Sequence, residues 1–127
     1  MATVEKFEDL EAWKHARQLT KSIYRITNRA RFERDWGLRR QMQRAAVSIM
    51  SNIAEGFESR TDGLFLEFLG RAKGSSGELQ SQLRIALDVE YLPSDEYEQL
   101  DAVARETSRC VSGLMTYLKN NRYPASG

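Results

Sequence analysis

The stretch Gln41-Met42-Gln43-Arg44-Ala45-Ala46-Val47-Ser48-Ile49-Met50-Ser51-Asn52-Ile53-Ala54-Glu55-Gly56 decides how this chain must fold. Set on a helix at about 100° per residue, Ala45, Ile49, Met42, Ile53, Ala46, Phe57, Met50, Ala54 and Val47 fill an arc of roughly 200°. The polar remainder is a narrow band of Arg40, Ser51, Arg44, Glu55, Ser48, Gln41 and Asn52. A helix buried on one flank needs about half of that arc. The surplus has to be covered, and a second copy of the chain is the simplest cover. Val47, Met50, Ala54 and Phe57 are therefore the expected subunit-interface residues.

Working outward, three more amphipathic segments flank this one. Before it, Leu10, Trp13, Ala16, Leu19, Ile23 and Ile26 recur at steps of three and four, predicting a helix over 9–28. A charged connector, Arg29 to Trp36, leads through Gly37 into the helix expected over 38–57. After the break at Arg60-Thr61-Asp62-Gly63, with Thr61 or Asp62 as N-cap, periodicity runs over 62–91. The glycines Gly70, Gly74 and Gly77 lie inside that run, each costing about 1 kcal/mol relative to alanine. They predict either a close approach of a neighbouring backbone or a kink. Pro93 ends the segment, and Asp95 with Glu98 reads as a capping box opening a helix over 95–120. Residues 121–127 read as a loose tail. Four amphipathic helices with short connectors predict a single all-α domain over 1–127, an antiparallel up-and-down four-helix bundle.

Composition narrows the function classes. The 127 residues suffice for one core without staples. A net charge of +1 excludes a uniformly basic protein but not a basic patch. Cys110 is the single cysteine, so no disulfide or thiolate cluster is expected. No signal-peptide pattern and no run of about 20 apolar residues is present, so a cytoplasmic chain without a membrane partner is expected.

No motif names a reaction. His15, the one histidine, has no second ligand at a usable spacing along the chain, so no metal, no cofactor and no catalytic residue is expected. The glycines of the third helix follow no strand, which removes a dinucleotide reading. Ser48, Ser51, Asn52 and Glu55 form a polar stripe, read as hydrogen bonding that fixes helix register.

Charge is unevenly spread. Seven arginines (Arg25, Arg29, Arg31, Arg34, Arg39, Arg40, Arg44) stand against Glu33 and Asp35 in one segment. From Ala86 to Glu106 seven carboxylates stand against Arg105 alone. Arginine without lysine favours planar, bidentate partners such as phosphate or carboxylate. Two readings stay open. Arg31, Arg34, Arg39, Arg40 and Arg44 contact the backbone of RNA or DNA, with Phe32 and Trp36 for stacking. Or the basic and acidic ends pair with each other, within or between subunits, in a protein-assembly scaffold.

The ordered series Phe7-Glu8-Asp9-Leu10-Glu11-Ala12-Trp13-Lys14, Trp36-Gly37-Leu38, Gln41 to Ile49, Ser51 to Gly56, Phe65 to Leu69, Gly74-Ser75, Glu78-Leu79 and Ala86-Leu87-Asp88 resembles a bacterial family. That family is named for the intervening sequence of large-subunit ribosomal RNA genes and is similar in turn to the accessory variability determinant protein of diversity-generating retroelements. The resemblance implies a four-helix bundle assembling as a homopentamer, without enzymatic activity and with a role in binding structured RNA or DNA. In a retroelement context it also implies a reverse transcriptase partner. The family's ribosomal label reflects gene position and implies no place in the ribosome. Three departures stand out. Met50 replaces a usual proline, so the second helix should be straighter. Arg39 and Arg40 replace small hydroxyl residues, which should weaken its cap. The near-neutral charge contrasts with the strongly basic retroelement protein.

Overall fold

The computed structural model describes residues 4–126, with side chains through residue 121. A 3₁₀ turn at Phe7–Asp9 leads into α1 (Glu11–Thr27), followed by the single turn α2 (Ala30–Glu33), then α3 (Trp36–Glu58), α4 (Asp62–Asp88) and α5 (Ser94–Ser126). Among the described residues there is no strand. No helix there is long and apolar enough to cross a membrane.

The four long helices close a ring: α1 packs on α3 and α5, and α4 packs on α3 and α5. Neighbours run in opposite directions. Thr20 meets the Ala46 carbonyl while Thr27 meets Gln43, so numbers rise on α1 as they fall on α3. Ser48 meets Ser75 and Gly56 meets Phe65 across α3 and α4 in the same sense. Inside the ring Leu19, Ile23, Met42, Ile49, Ile53, Leu69, Leu79, Leu83 and Val111 are fully buried. Ser76 and Thr107 are also buried. Thr107 donates to the Val103 carbonyl one turn back, and Ser76 reaches the Ala104 carbonyl of α5.

The helix ends show where local chemistry differs from the sequence expectation. α3 starts at Trp36, two residues before the expected Leu38, because Asp35 caps it by accepting from the Leu38 N–H at 3.1 Å. The cap is therefore supplied outside the Arg39–Arg40 positions and is not weakened by them. Thr61 caps α4 as expected, accepting from the Leu64 N–H. α4 stops at Asp88, short of the expected Tyr91. There Tyr91 N–H donates to the Ala86 carbonyl and Glu90 N–H to the Leu87 carbonyl, with Glu90 at φ 64°. This is a Schellman cap with glutamate in the left-handed position where glycine is usual. α5 begins at Ser94, so Asp95 lies inside the first turn and does not form the expected capping box. α5 also continues past Asn120 to Ser126, where a loose tail was expected. Asparagine costs a helix only a few tenths of a kcal/mol and is no stop by itself; Asn121 donates back to the Tyr117 carbonyl at 2.8 Å. The tail's last residue, Gly127, lies outside the described residues.

α4 is one unbroken helix despite its glycines. A Cβ built on Gly70, Gly74 or Gly77 meets nothing within 4 Å, so among the described residues no other helix approaches them closely. The close approach is at Gly56 of α3 instead, where an added Cβ would lie 2.7 Å from Phe65 Cδ1 and 3.0 Å from Phe68 Cβ.

Candidate nucleic-acid interface

The arginine-rich segment begins on α1, passes over the end of the bundle through α2, and enters the first turns of α3. The fold divides its arginines into two groups. Arg29 donates to both carboxylate oxygens of Glu96 on α5, and this holds the Glu96 carboxyl below its ordinary range and the guanidinium above its own. Arg31 donates to the Glu90 carbonyl at 2.8 Å, which fixes the left-handed residue of the α4 cap. Arg39 is half-buried, donates to Asn28 Oδ1 at 2.9 Å, and lies 5.4 Å from the ring centre of Trp36. Arg25, Arg34, Arg40 and Arg44 are exposed, and their side chains make no ion pair or hydrogen bond among the described residues.

Arg40 and Arg44, one turn apart on α3, border a shallow groove of about 450 Å³ with Tyr24, Gln43, Val47 and Ser48. On the other side of Arg44 a second groove of about 400 Å³ runs between α3 and α4, lined by Gln41, Ser48, Glu78 and Gln82. Neither groove contains Glu55. Such open channels flanked by unpaired guanidinium groups suit an extended anionic chain better than a small enclosed substrate.

The aromatic residues are redistributed relative to the sequence expectation. Phe32 is fully buried and packs on Tyr91 with ring centres 5.1 Å apart, so it plugs the bundle end and cannot stack on a base. Its ring faces the core because the single turn of α2 folds back over α3. Trp36 is 61% exposed, and Tyr24, absent from the sequence reading, is 41% exposed beside Arg40 and Arg44. Tyr91 also donates its hydroxyl to Asp35 at 3.0 Å, which raises its pKa above the ordinary phenol value.

The polar stripe of α3 splits. Ser48 bonds Ser75 of α4 at 2.8 Å, and Asn52 Nδ2 donates to the Ser48 carbonyl and hydroxyl at 2.8 and 3.0 Å. Ser51 and Glu55 are exposed and make no side-chain hydrogen bond among the described residues, so they do not join the contact. Of the expected interface residues, Val47 is 39% exposed, whereas Met50, Ala54 and Phe57 are half-buried by the chain itself. Phe57 meets Phe65 edge-on at 6.1 Å.

The model of the family described as "23S rRNA-intervening sequence protein" matches residues 8–113. The chain belongs to that family. A solved structure with the same fold is a protein of unknown function from the S23 ribosomal protein family of Bacteroides thetaiotaomicron VPI-5482. It has a TM-score of 0.76 and 17% identity, covering 83% of this chain and 95% of that one. A search of the curated proteins finds no match.

This member of the 23S rRNA-intervening sequence family also assembles a group that linear spacing conceals. His15 on α1 stands beside Glu106 and Cys110 on α5, with ligand atoms all within 4.8 Å of one another. The separation of Glu106 and Cys110 by four residues was the available signal, since it places both on one face of a helix. Which helix would face them was not written in that spacing.

Proposed function

We propose that this protein is a non-enzymatic, cytoplasmic helical bundle that assembles as a homo-oligomer, a pentamer, and binds structured RNA or DNA along its backbone. The observation that carries the reading is the pair of unengaged guanidinium groups, Arg40 and Arg44, bordering a groove with the exposed ring of Tyr24. Arg34 adds a third unpaired cation at the same end. Arg31 and Arg39 belong to the candidate face by sequence, but their contacts with Glu90 and Asn28 give them a mainly structural part. A reverse transcriptase enters as a partner where the gene lies in a retroelement.

The test is binding to duplex and hairpin RNA and DNA across a salt series. Each phosphate contact contributes about 0.9 to the slope of log K against log salt. Arg34, Arg40 and Arg44 together give a slope of about −2.7 per protomer in contact, and Arg40→Ala with Arg44→Ala brings it to about −0.9. No binding at low salt, or an unchanged slope in the double variant, refutes the proposal.

A second reading, an assembly scaffold without a nucleic-acid role, is favoured by the outer face of α4. Gly70, Gly74, Gly77, Ser81, Ile85 and Val89 share that face and are exposed, and the three glycines have open space above them. A stripe of small residues lets two helix backbones approach closely. The variant Gly70→Ala with Gly74→Ala and Gly77→Ala should keep its helical circular dichroism and lose oligomer mass in light scattering. Unchanged mass removes this face from the assembly.

A further inference from the structure

His15, Glu106 and Cys110 bring an imidazole nitrogen, a carboxylate oxygen and a thiol sulfur together from two helices, each residue half-buried. None of the three has a part in the arginine face. His15 makes no hydrogen bond among the described residues. Glu106 is oriented by Arg109, whose Nε and Nη2 donate to Oε2 at 3.0 and 2.8 Å. That leaves Oε1 facing Cys110 Sγ, 4.0 Å away. Beside the cluster an open groove of about 310 Å³, lined by Leu10, Glu11, Ala12, Cys110 and Leu114, follows the same seam between α1 and α5.

We propose that His15, Glu106 and Cys110 bind a zinc-type divalent cation that clamps α1 to α5. Zinc takes nitrogen and oxygen ligands at about 2.0 Å and sulfur at about 2.3 Å in a tetrahedron, which sets ligand atoms roughly 3.3–3.6 Å apart. Donors up to 4.8 Å apart must therefore close by up to about 1.2–1.5 Å, a torsional adjustment for half-buried side chains. One thiolate and one carboxylate neutralise the ion, and the imidazole joins without charge. Sulfur with imidazole selects zinc and its neighbours over calcium or magnesium, which require oxygen shells. Burial, Glu106 and Glu11 raise the thiol pKa against the opposing charge of Arg109. Binding exchanges the thiol proton for the metal: the S–H bond breaks, the sulfur–metal bond forms, and the proton leaves to water. Three protein ligands leave the fourth position of the tetrahedron for water.

The experiment uses the full chain, reduced and stripped of metal, with Co²⁺ as the probe. A thiolate-to-cobalt charge-transfer band should appear, saturate at one ion per chain and be displaced by Zn²⁺. It should vanish in Cys110→Ser and need at least about tenfold more Co²⁺ in His15→Asn and in Glu106→Gln. Zn²⁺ should raise the Tm of the wild type and not that of Cys110→Ser. Absence of the band up to millimolar Co²⁺ overturns the proposal. So does a band whose midpoint is unchanged in His15→Asn, because the cysteine would then be binding alone. If a variant loses its helical signal, the wild-type stoichiometry and its Zn²⁺-dependent Tm decide.

Discussion

Replacing Gly56 by alanine tests the tightest point of the bundle. An alanine Cβ there would sit 2.7 Å from Phe65 Cδ1, 3.0 Å from Phe68 Cβ and 3.3 Å from Phe65 Cε1. Ordinary carbon contacts lie at about 3.5–4.0 Å, so the neighbours must retreat by roughly 0.5–1 Å. The Phe65 ring cannot swing away freely, because it is packed edge-on against Phe57. Phe68 Cβ is bonded to the α4 backbone, and moving it moves the helix. Overpacking of this kind costs about 1–3 kcal/mol. Against it stands the gain in helix propensity, about 0.8–1 kcal/mol. The balance is a loss of about 0.5–2 kcal/mol, or a Tm lower by roughly 2–8 °C for a chain of this size. Gly113→Ala is the control: its Cβ meets nothing within 4 Å, so the propensity gain stands alone and Tm should rise by a few degrees. Thermal unfolding by circular dichroism reads both. A neutral or stabilised Gly56→Ala would refute the close packing of α3 on α4 from which the argument starts.

Glu90→Gly should stabilise the chain by about 1 kcal/mol, since glycine adopts the left-handed conformation at φ 64° without a Cβ penalty; a lower midpoint in chemical denaturation would count against the cap. Phe32→Ala should cost about 3–5 kcal/mol, whereas Trp36→Ala should change stability by less than about 1 kcal/mol, because the first ring is fully buried and the second mostly exposed. Similar midpoints for the two variants would contradict that division. The Arg29 bond lowers the Glu96 pKa, so its contribution is present above the unfolded carboxylate value of about 4.3 and is lost as pH falls through the lower folded value. Tm measured against pH should therefore show Glu96→Gln below the wild type at pH 7, with the gap closing beneath about pH 4. A gap that persists in acid would place the stabilisation elsewhere.

The four long helices were legible because apolar residues at three- and four-residue steps leave few other ways to bury Leu19, Ile49, Leu79 and Val111 together. The connector was less so. Phe32 in a run of charges reads as exposed, and it becomes core only because one turn of α2 folds it over the bundle end onto Tyr91. The arginines looked equivalent for a similar reason. Sequence counts charge, while the fold spends Arg29 on Glu96, Arg31 on the Glu90 carbonyl and Arg39 on Asn28, leaving Arg25, Arg34, Arg40 and Arg44 free. The wide apolar arc of α3 shows the same limit from the other side. It read as surface for a second chain, yet α3 lies between α1 and α4. Both edges of its arc find cover inside the monomer, Met50 and Phe57 among them, and Val47 is the large apolar side chain that stays exposed. Arc width counts the neighbours a helix has, and in a closed ring each helix has two. The residues whose cost the single chain leaves unexplained are instead the glycines of α4, which sequence periodicity marks only as a weakness in a helix. They stand in open space at a combined helix-propensity cost of about 2–3 kcal/mol. A protein stable by about 5–15 kcal/mol carries that burden more readily where assembly gives something back. The search for a subunit contact therefore belongs on α4 before α3.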